Sequence, residues 1–297
     1  MRSSRLRATL TGLSAILMWS LLGVFTGGTG KVPPFLLTGL CFGLSGLVAT
    51  LGLAVTGRLG ALRQPWRVYA VGTAGLFGYH ALYFTALRNA PLVEAGLINY
   101  LWPLLIVLMS GLLPGERLGL HHVVGVALGF VGAALLVASG GALSLSSGYA
   151  FGYGAAFLAA FVWSSYSVVS RRLASVPTET VAGFCLVTAV LSLLAHALFE
   201  PTVLPAGAFE WTMVVLLASL PLGLAFFVWD YGVKHGDIQI IGTAAYATPV
   251  LSTLLLTLSG YGRLTGVAVI ACLLVTVGAL IAAKDMWLRR KAVAAGS

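Results

Sequence analysis

The chain has 297 residues, 59% of them hydrophobic and only 8% charged, with a formal charge of +9 and a mean hydropathy of +0.99. Soluble globular domains carry roughly 25% charged residues, so this composition excludes one and places the chain in lipid. Cys41, Cys185 and Cys272 stand apart inside apolar runs and no His/Cys cluster has metal-ligand spacing, so no disulfide, metal or cofactor is expected.

About 20 mostly apolar residues make one membrane-spanning helix, and the pattern predicts ten along the chain. The first, 8–27, follows the cationic start Arg2, Arg5 and Arg7; without a small-x-small cleavage site near its end it reads as a retained helix, not a removed signal peptide. Lys31 to Pro34 breaks the chain before the second span, 33–56, and a short turn at 88–91 joins the third, 66–87, to the fourth, 91–112. The Pro114-Gly115-Glu116-Arg117 turn leads into the fifth, 119–139. The remaining spans are 148–169, 178–199, 210–232, 238–258 and 264–284, with Ser175-Val176-Pro177 breaking the chain between the sixth and seventh. The connectors leave no room for a soluble domain.

Orientation follows from the cations. With the N-terminus inside, only Lys31, Arg88 and Arg263 lie outside, and the other fourteen of the 17 Lys and Arg residues face the cytoplasm. Cytoplasmic loops are enriched in Lys and Arg, so both termini are expected there. The positive charge is then a topology signal and an attraction to anionic lipid, with no nucleic-acid partner implied. Trp66, Trp211 and Trp287 fall at span ends, where an interfacial aromatic belt accounts for them.

Residues 79–138 and 225–284 follow one apolar plan at a constant offset of 146. Leu87-Arg88 meets Val233-Lys234, Tyr100 meets Tyr246, Pro103 meets Pro249, Arg117-Leu118 meets Arg263-Leu264, and Gly132 meets Gly278; Trp19 and Trp163 correspond at an offset of 144. Each half, 1–143 and 144–297, holds five spans, an odd number, so the second copy enters the membrane upside down. The expected fold class is an all-α membrane protein with ten transmembrane helices in two inverted five-helix repeats. Such repeats exchange conformations around a midplane site, the usual basis of alternating access, and the leading function class is a transporter.

The Trp19-Ser20 pair, the Ala86-Leu87-Arg88 run, the Tyr100-Leu101-Trp102-Pro103 run and the Gly115-Glu116-Arg117-Leu118 turn resemble the EamA-type domain of the drug/metabolite transporter superfamily. The second half carries the same signals more weakly, its Tyr261-Gly262-Arg263-Leu264 turn lacking the acidic residue. Within the superfamily, length, aromatic content and the Asn99-Tyr100-Leu101-Trp102-Pro103 run resemble the YddG-type aromatic amino acid exporters. The resemblance implies export from the cytoplasm through the inner membrane.

Residues equidistant from the 88–91 turn lie at similar depth, which pairs His80 with Asn99 and Tyr79 with Tyr100. At about 1.5 Å per residue, His80 sits roughly 10 to 14 Å below its helix end, near the midplane. His80, Tyr83 and Leu87 share one helical face, and Asn99, Trp102 and Pro103 another. If the faces meet they form an aromatic pocket with polar hooks. Pro103 and Pro249 cannot donate to residue i−4, so the carbonyls of Asn99 and Ala245 are expected to be free and the two helices to hinge. An intraspan indole wants a hydrogen-bond partner. Trp102 and Trp163, the latter followed by Ser164, Ser165 and Ser167, are the indoles expected in the cavity, while Trp19 and Trp229 read equally as core packing. The expected substrate-binding residues are Tyr79, His80, Tyr83, Asn99, Tyr100, Trp102, Trp163 and Tyr246.

Glu94 is expected to pair with Arg88, and Asp230 with Lys234 four residues on, so no buried acidic relay stands out. A pocket of rings, hydroxyls, an amide and carbonyls suits a neutral zwitterionic amino acid, with cation–π contacts for its ammonium. Phosphorylated substrates fit poorly, for no midspan Arg or Lys is available to clamp them. No Gly-x-Ser-x-Gly, His-Glu-x-x-His or paired-aspartate motif points to an enzyme. The remaining alternatives are a transporter of another small metabolite or drug, a channel, or a non-transporting scaffold. A monomer is expected.

Overall fold

The computed structural model describes residues 2–138, 146–258 and 265–284. The Tyr261 to Leu264 turn with Arg263, the belt residue Trp287, the cations Arg289, Arg290 and Lys291, and the boundary between the halves at 143 and 144 lie outside the described residues. Among the described residues there are fifteen α-helices and no strand. They are α1 (Arg2–Ser20), α2 (Leu22–Gly27), α3 (Pro34–Val55), α4 (Trp66–Thr73), α5 (Tyr79–Asn89), α6 (Leu92–Asn99), α7 (Trp102–Ser110), α8 (Leu120–Ala138), α9 (Ala150–Arg172), α10 (Val181–Phe199), α11 (Ala208–Ser219), α12 (Ala225–His235), α13 (Ile238–Ala244), α14 (Ala247–Leu258) and α15 (Gly266–Ala282). Five helical stretches are long and apolar enough to cross a membrane: Ser4–Gly27, Pro34–Val55, Ser147–Arg172, Thr178–Phe199 and Ala208–His235. Glu94–Ser110, Leu120–Leu135 and Gly266–Ala282 are shorter apolar helices.

The apolar segments are helical, but not all are uninterrupted rods. Between α4 and α5, and again between α11 and α12, the helix widens into a π turn, Ala74–Gly78 and Leu220–Leu224, at the same spacing of 146 seen in the sequence. Pro221, lacking an N–H, accounts for the second. A π turn frees backbone carbonyls, and side chains claim them: His80 Nδ1 lies 2.7 Å from the Leu76 carbonyl, and Trp19 Nε1 donates to the Pro221 carbonyl at 3.1 Å. The α6/α7 and α13/α14 breaks fall at 100–101 and 245–246, just ahead of Pro103 and Pro249. One expectation fails here. The Ala245 carbonyl accepts the Thr248 N–H at 3.1 Å, because the turn tightens to an i+3 bond and leaves nothing free.

Each half packs on the other. α3 lies against α10, α8 against α15, α1 against α12 and α5 against α9. A Cβ on Gly125 of α8 would stand 2.5 Å from the Gly278 carbonyl of α15, and Gly12 and Gly232 likewise let α1 and α12 touch backbone to backbone. In lipid, where hydrophobicity gives helices no reason to associate, small residues permit the close packing that does. The polarity is inverted relative to a soluble protein. Val55, Phe151, Leu194, Leu198 and Leu280 are exposed, while His80, Asn99, Ser164, Ser167, Asp230 and Lys234 are buried.

Charges knit both ends. At the end holding the start of α1, Glu116 accepts Arg171 Nη2 at 2.6 Å and Arg5 at 3.4 Å, and Arg5 reaches Asp237 at 3.1 Å. Arg171 Nη1 also donates to the carbonyls of Val233 and Lys234 in the last turn of α12 and of Gly236 just beyond it. At the opposite end Glu200 gathers Arg88 at 2.7 Å, His196 at 3.1 Å and the first N–H groups of α3, those of Phe35 and Leu36. Arg88 therefore does not pair with Glu94 as expected. Glu94 faces α9 and accepts the Tyr153 hydroxyl, whereas Arg88 faces the α3/α10 side. The Asp230–Lys234 pair forms at 2.7 Å, as the i, i+4 spacing requires, but both side chains are almost fully buried.

Candidate functional site

Rings from six helices converge in one cluster. Trp19 of α1 is the hub, with centroids 6.2 Å from Trp102 of α7, 5.7 Å from Trp163 of α9, and 6.0 and 5.0 Å from Phe226 and Trp229 of α12. Tyr79 of α5 joins through Trp163 at 5.6 Å, stacks on Tyr83 at 5.9 Å and meets His80 at 5.1 Å. Phe42 of α3 closes the far side against His80 at 5.3 Å and Phe226 at 5.2 Å. Several pairs are edge to face, the arrangement that matches ring edge to ring face and is worth about 0.5–1.5 kcal/mol per pair beyond burial.

Polar groups hold the rings. Ser164 Oγ lies 2.9 Å from the Trp102 carbonyl, tying α9 to the start of α7. Ser167 Oγ donates to the Trp163 carbonyl at 2.9 Å and accepts Trp229 Nε1 at 3.1 Å. Since His80 Nδ1 sits on a carbonyl it carries a hydrogen, and the neutral ring then offers Nε2 as an acceptor. Asn99 Nδ2 donates to the Tyr79 hydroxyl at 3.2 Å, while its Oδ1, buried, has no hydrogen-bond partner. Trp19, Tyr79, Tyr83 and Tyr100 retain accessible surface; Trp102, Trp163, Trp229, His80 and Asn99 are buried.

Seven of the eight expected substrate residues gather at the α5, α6/α7 and α9 contact. Tyr79, His80, Tyr83, Asn99, Trp102 and Trp163 are linked by the contacts above, and Tyr100 stands close enough to Tyr79 and Tyr83 to interact electrostatically with both. Tyr246 stands apart. It is fully buried in a separate core with Val107, Val126 and Phe130, and its hydroxyl accepts the Leu104 N–H at 3.2 Å. Leu104 is the third residue of α7, one of the donors a helix start leaves without a partner. Trp19 and Trp229, which the sequence left open between cavity and core packing, belong to the ring cluster, and so do Phe226 and Phe42, which were not expected there. The recurrence of Trp19 at Trp163 was the available signal for the first; nothing in the sequence marks the two phenylalanines.

Comparison with known proteins agrees with the architecture. Residues 6–138 and 150–283 each match the EamA-like transporter family. The aromatic amino acid exporter YddG of Ancylobacter novellus is 53% identical over 94% of this chain and 98% of its own length, and its namesake from Salmonella typhimurium is 31% identical over 84% and 87%. A solved crystal structure, 52% identical, superposes with a TM-score of 0.90 over 94% of this chain and 98% of its own. With a helical fold that turns its apolar side chains outward and a family match covering both halves, this chain is a multi-pass membrane protein belonging to the EamA-like transporter family.

Proposed function

We propose that the chain exports neutral amino acids, aromatic or other large ones, across the cytoplasmic membrane by alternating access, working as a monomer. Its ten apolar segments are read as ten spans in two inverted repeats with both termini cytoplasmic, and the paired breaks ahead of Pro103 and Pro249 as the hinges. One observation carries the substrate assignment: the unpartnered Oδ1 of Asn99, beside the Tyr79 hydroxyl and among the rings. A buried acceptor left open is costly, and a substrate ammonium fills it while also meeting ring faces. The tyrosine hydroxyls of Tyr79, Tyr83 and Tyr100 suit the carboxylate, and an aromatic or large apolar side chain replaces ring–ring contacts. The names of the relatives support the same class of cargo.

Counterflow of labelled amino acids in proteoliposomes, with aromatic, branched, charged and sulfur-containing competitors, tests the reading. Aromatic competitors should be the most effective. His80→Ala, Tyr83→Ala and Trp102→Ala should each lower flux by about tenfold, equivalent to about 1.4 kcal/mol, with normal folding. Unchanged flux in all three removes this site.

A further inference from the structure

The buried Asp230–Lys234 pair on α12 has surroundings that a purely structural ion pair does not need. Asp230 Oδ2 accepts Lys234 Nζ at 2.7 Å and the Thr178 hydroxyl at 2.8 Å, and Lys234 also donates to the Val176 carbonyl at 3.0 Å. Asp230 Oδ1 has no partner, and the hydroxyl of Tyr166 on α9, near Ser170, makes no hydrogen bond of ordinary geometry; their residues are 1% and 3% exposed. Both residues line one cavity of about 10 Å³, room for a single water. Native interiors leave few such atoms unsatisfied, and ionisable groups buried within membrane spans mark function.

The pair also lies on a line between two compartments. On one side the Tyr166 ring is 5.3 Å from Trp163, and Trp229, next to Asp230 in sequence, stacks on Trp163 at 5.9 Å, so the cavity abuts the ring cluster. On the other side Thr178, which holds Oδ2, lines an open cavity of about 480 Å³ together with Tyr231, His235 and Glu179. The charged and titratable groups that act on Asp230 are Lys234 and His235 from α12 and Tyr166 from α9; behind them Arg171 of α9 bears on His235, Cys185 of α10 on Tyr166, and Glu179 of the connector, paired with Arg58, lines the open cavity. The α4 residues facing the cavity, Val68, Val71 and Gly72, carry no charge, and α1 brings Thr11 to the open side.

We propose that Asp230 and Lys234 form a proton-coupling site that drives export by exchange with protons, Asp230 being loaded from the ring side through Tyr166 and unloaded past Thr178 and His235. This rests on the transport reading above. In loading, one proton leaves a hydronium ion and forms an O–H bond at Oδ1, and the pair passes from neutral to a single positive charge on Lys234. Lys234 then faces a neutral carboxyl and the Val176 carbonyl alone, so the charge attraction that fixes the two side chains of α12 against each other is lost. Unloading returns the proton to water in the open cavity and restores the pair.

The test uses the full chain in proteoliposomes, with the membrane potential clamped by potassium and valinomycin and labelled phenylalanine as probe. A gradient of one pH unit supports up to about tenfold accumulation on the acidic side when one proton exchanges per substrate. Asp230→Asn is expected to abolish that accumulation, and Asp230→Asn/Lys234→Met, which leaves no lone buried charge, serves if the single variant misfolds. Tyr166→Phe, which keeps the ion pair and the ring, should slow pH-driven accumulation. Counterflow by the parent without any pH-driven accumulation overturns the coupling and spares the transport reading. Accumulation that survives in the folded Asp230 variants overturns the assignment to this pair. No counterflow at all overturns the transport reading and the coupling with it.

Discussion

Tyr246→Phe separates a structural tyrosine from a substrate-binding one. Phenylalanine keeps the ring against Gly129 and Phe130, so only the hydroxyl is lost, and with it the acceptor 3.2 Å from the Leu104 N–H. That donor sits beyond the α6/α7 break, where the helix supplies no carbonyl, on a half-buried residue whose acceptor ring is fully buried. Leaving a buried N–H unsatisfied costs about 1–3 kcal/mol. Tyr246→Ala also empties the ring's volume, for about 3–5 kcal/mol in total on the scale of large aromatic truncations. Equilibrium unfolding in mixed micelles should therefore rank parent, Phe and Ala in that order, with amino acid affinity of the Phe variant, read by tryptophan fluorescence, unchanged. A Phe variant as stable as the parent but binding at least about tenfold more weakly would refute the argument and return Tyr246 to the substrate site.

Glu116→Gln should cost about 1–3 kcal/mol of stability, almost all of it from Arg171, since Arg5 is half exposed and its contribution is screened. Substrate affinity should hold, and a thermal melt that does not move, with affinity lost, contradicts the assignment. Gly125→Val must push α8 away from the Gly278 carbonyl and should lower stability by about 1–3 kcal/mol or more. Gly52→Ala, where a Cβ meets nothing, should instead be neutral or stabilising by up to about 1 kcal/mol; equal effects of the two substitutions would rule out helix contact as the cause. Ser167→Ala strands the indole N–H of Trp229 and should cost about 1–3 kcal/mol, detectable as a shifted tryptophan emission; an unshifted spectrum would place that hydrogen bond elsewhere.

Much of the site was legible because its information is local. The approach of Asn99 to Tyr79, the neighbour of His80, follows from counting residues on either side of one short turn, and the helix breaks follow from Pro103 and Pro249, each acting within one turn of itself. The Asp230–Lys234 contact is likewise a property of one helix. Arg88 was misassigned because its partner, Glu200, is 112 residues away. Tyr246 was placed with Tyr100 because the sequence aligns them, yet equal depth says nothing about rotation around the helix axis. The proton site was not seen because two residues four apart near the end of a span read as a structural ion pair until burial and an unshared oxygen set them apart.

By itself the sequence determined that this is a helical membrane protein, that two of its helices break next to Pro103 and Pro249, and that residues 79–138 and 225–284 follow one apolar plan. Hydropathy, helical period and proline chemistry act over a few residues and need no partner. Only the tertiary structure decided which faces meet: that four tryptophans from α1, α7, α9 and α12 share one cluster, that Tyr246 caps a helix of the other half, and that Asp230 is hidden beside Tyr166. The rotation of each helix about its own axis is fixed by packing against its neighbours, such as Gly125 on Gly278, and no stretch of chain carries that angle alone.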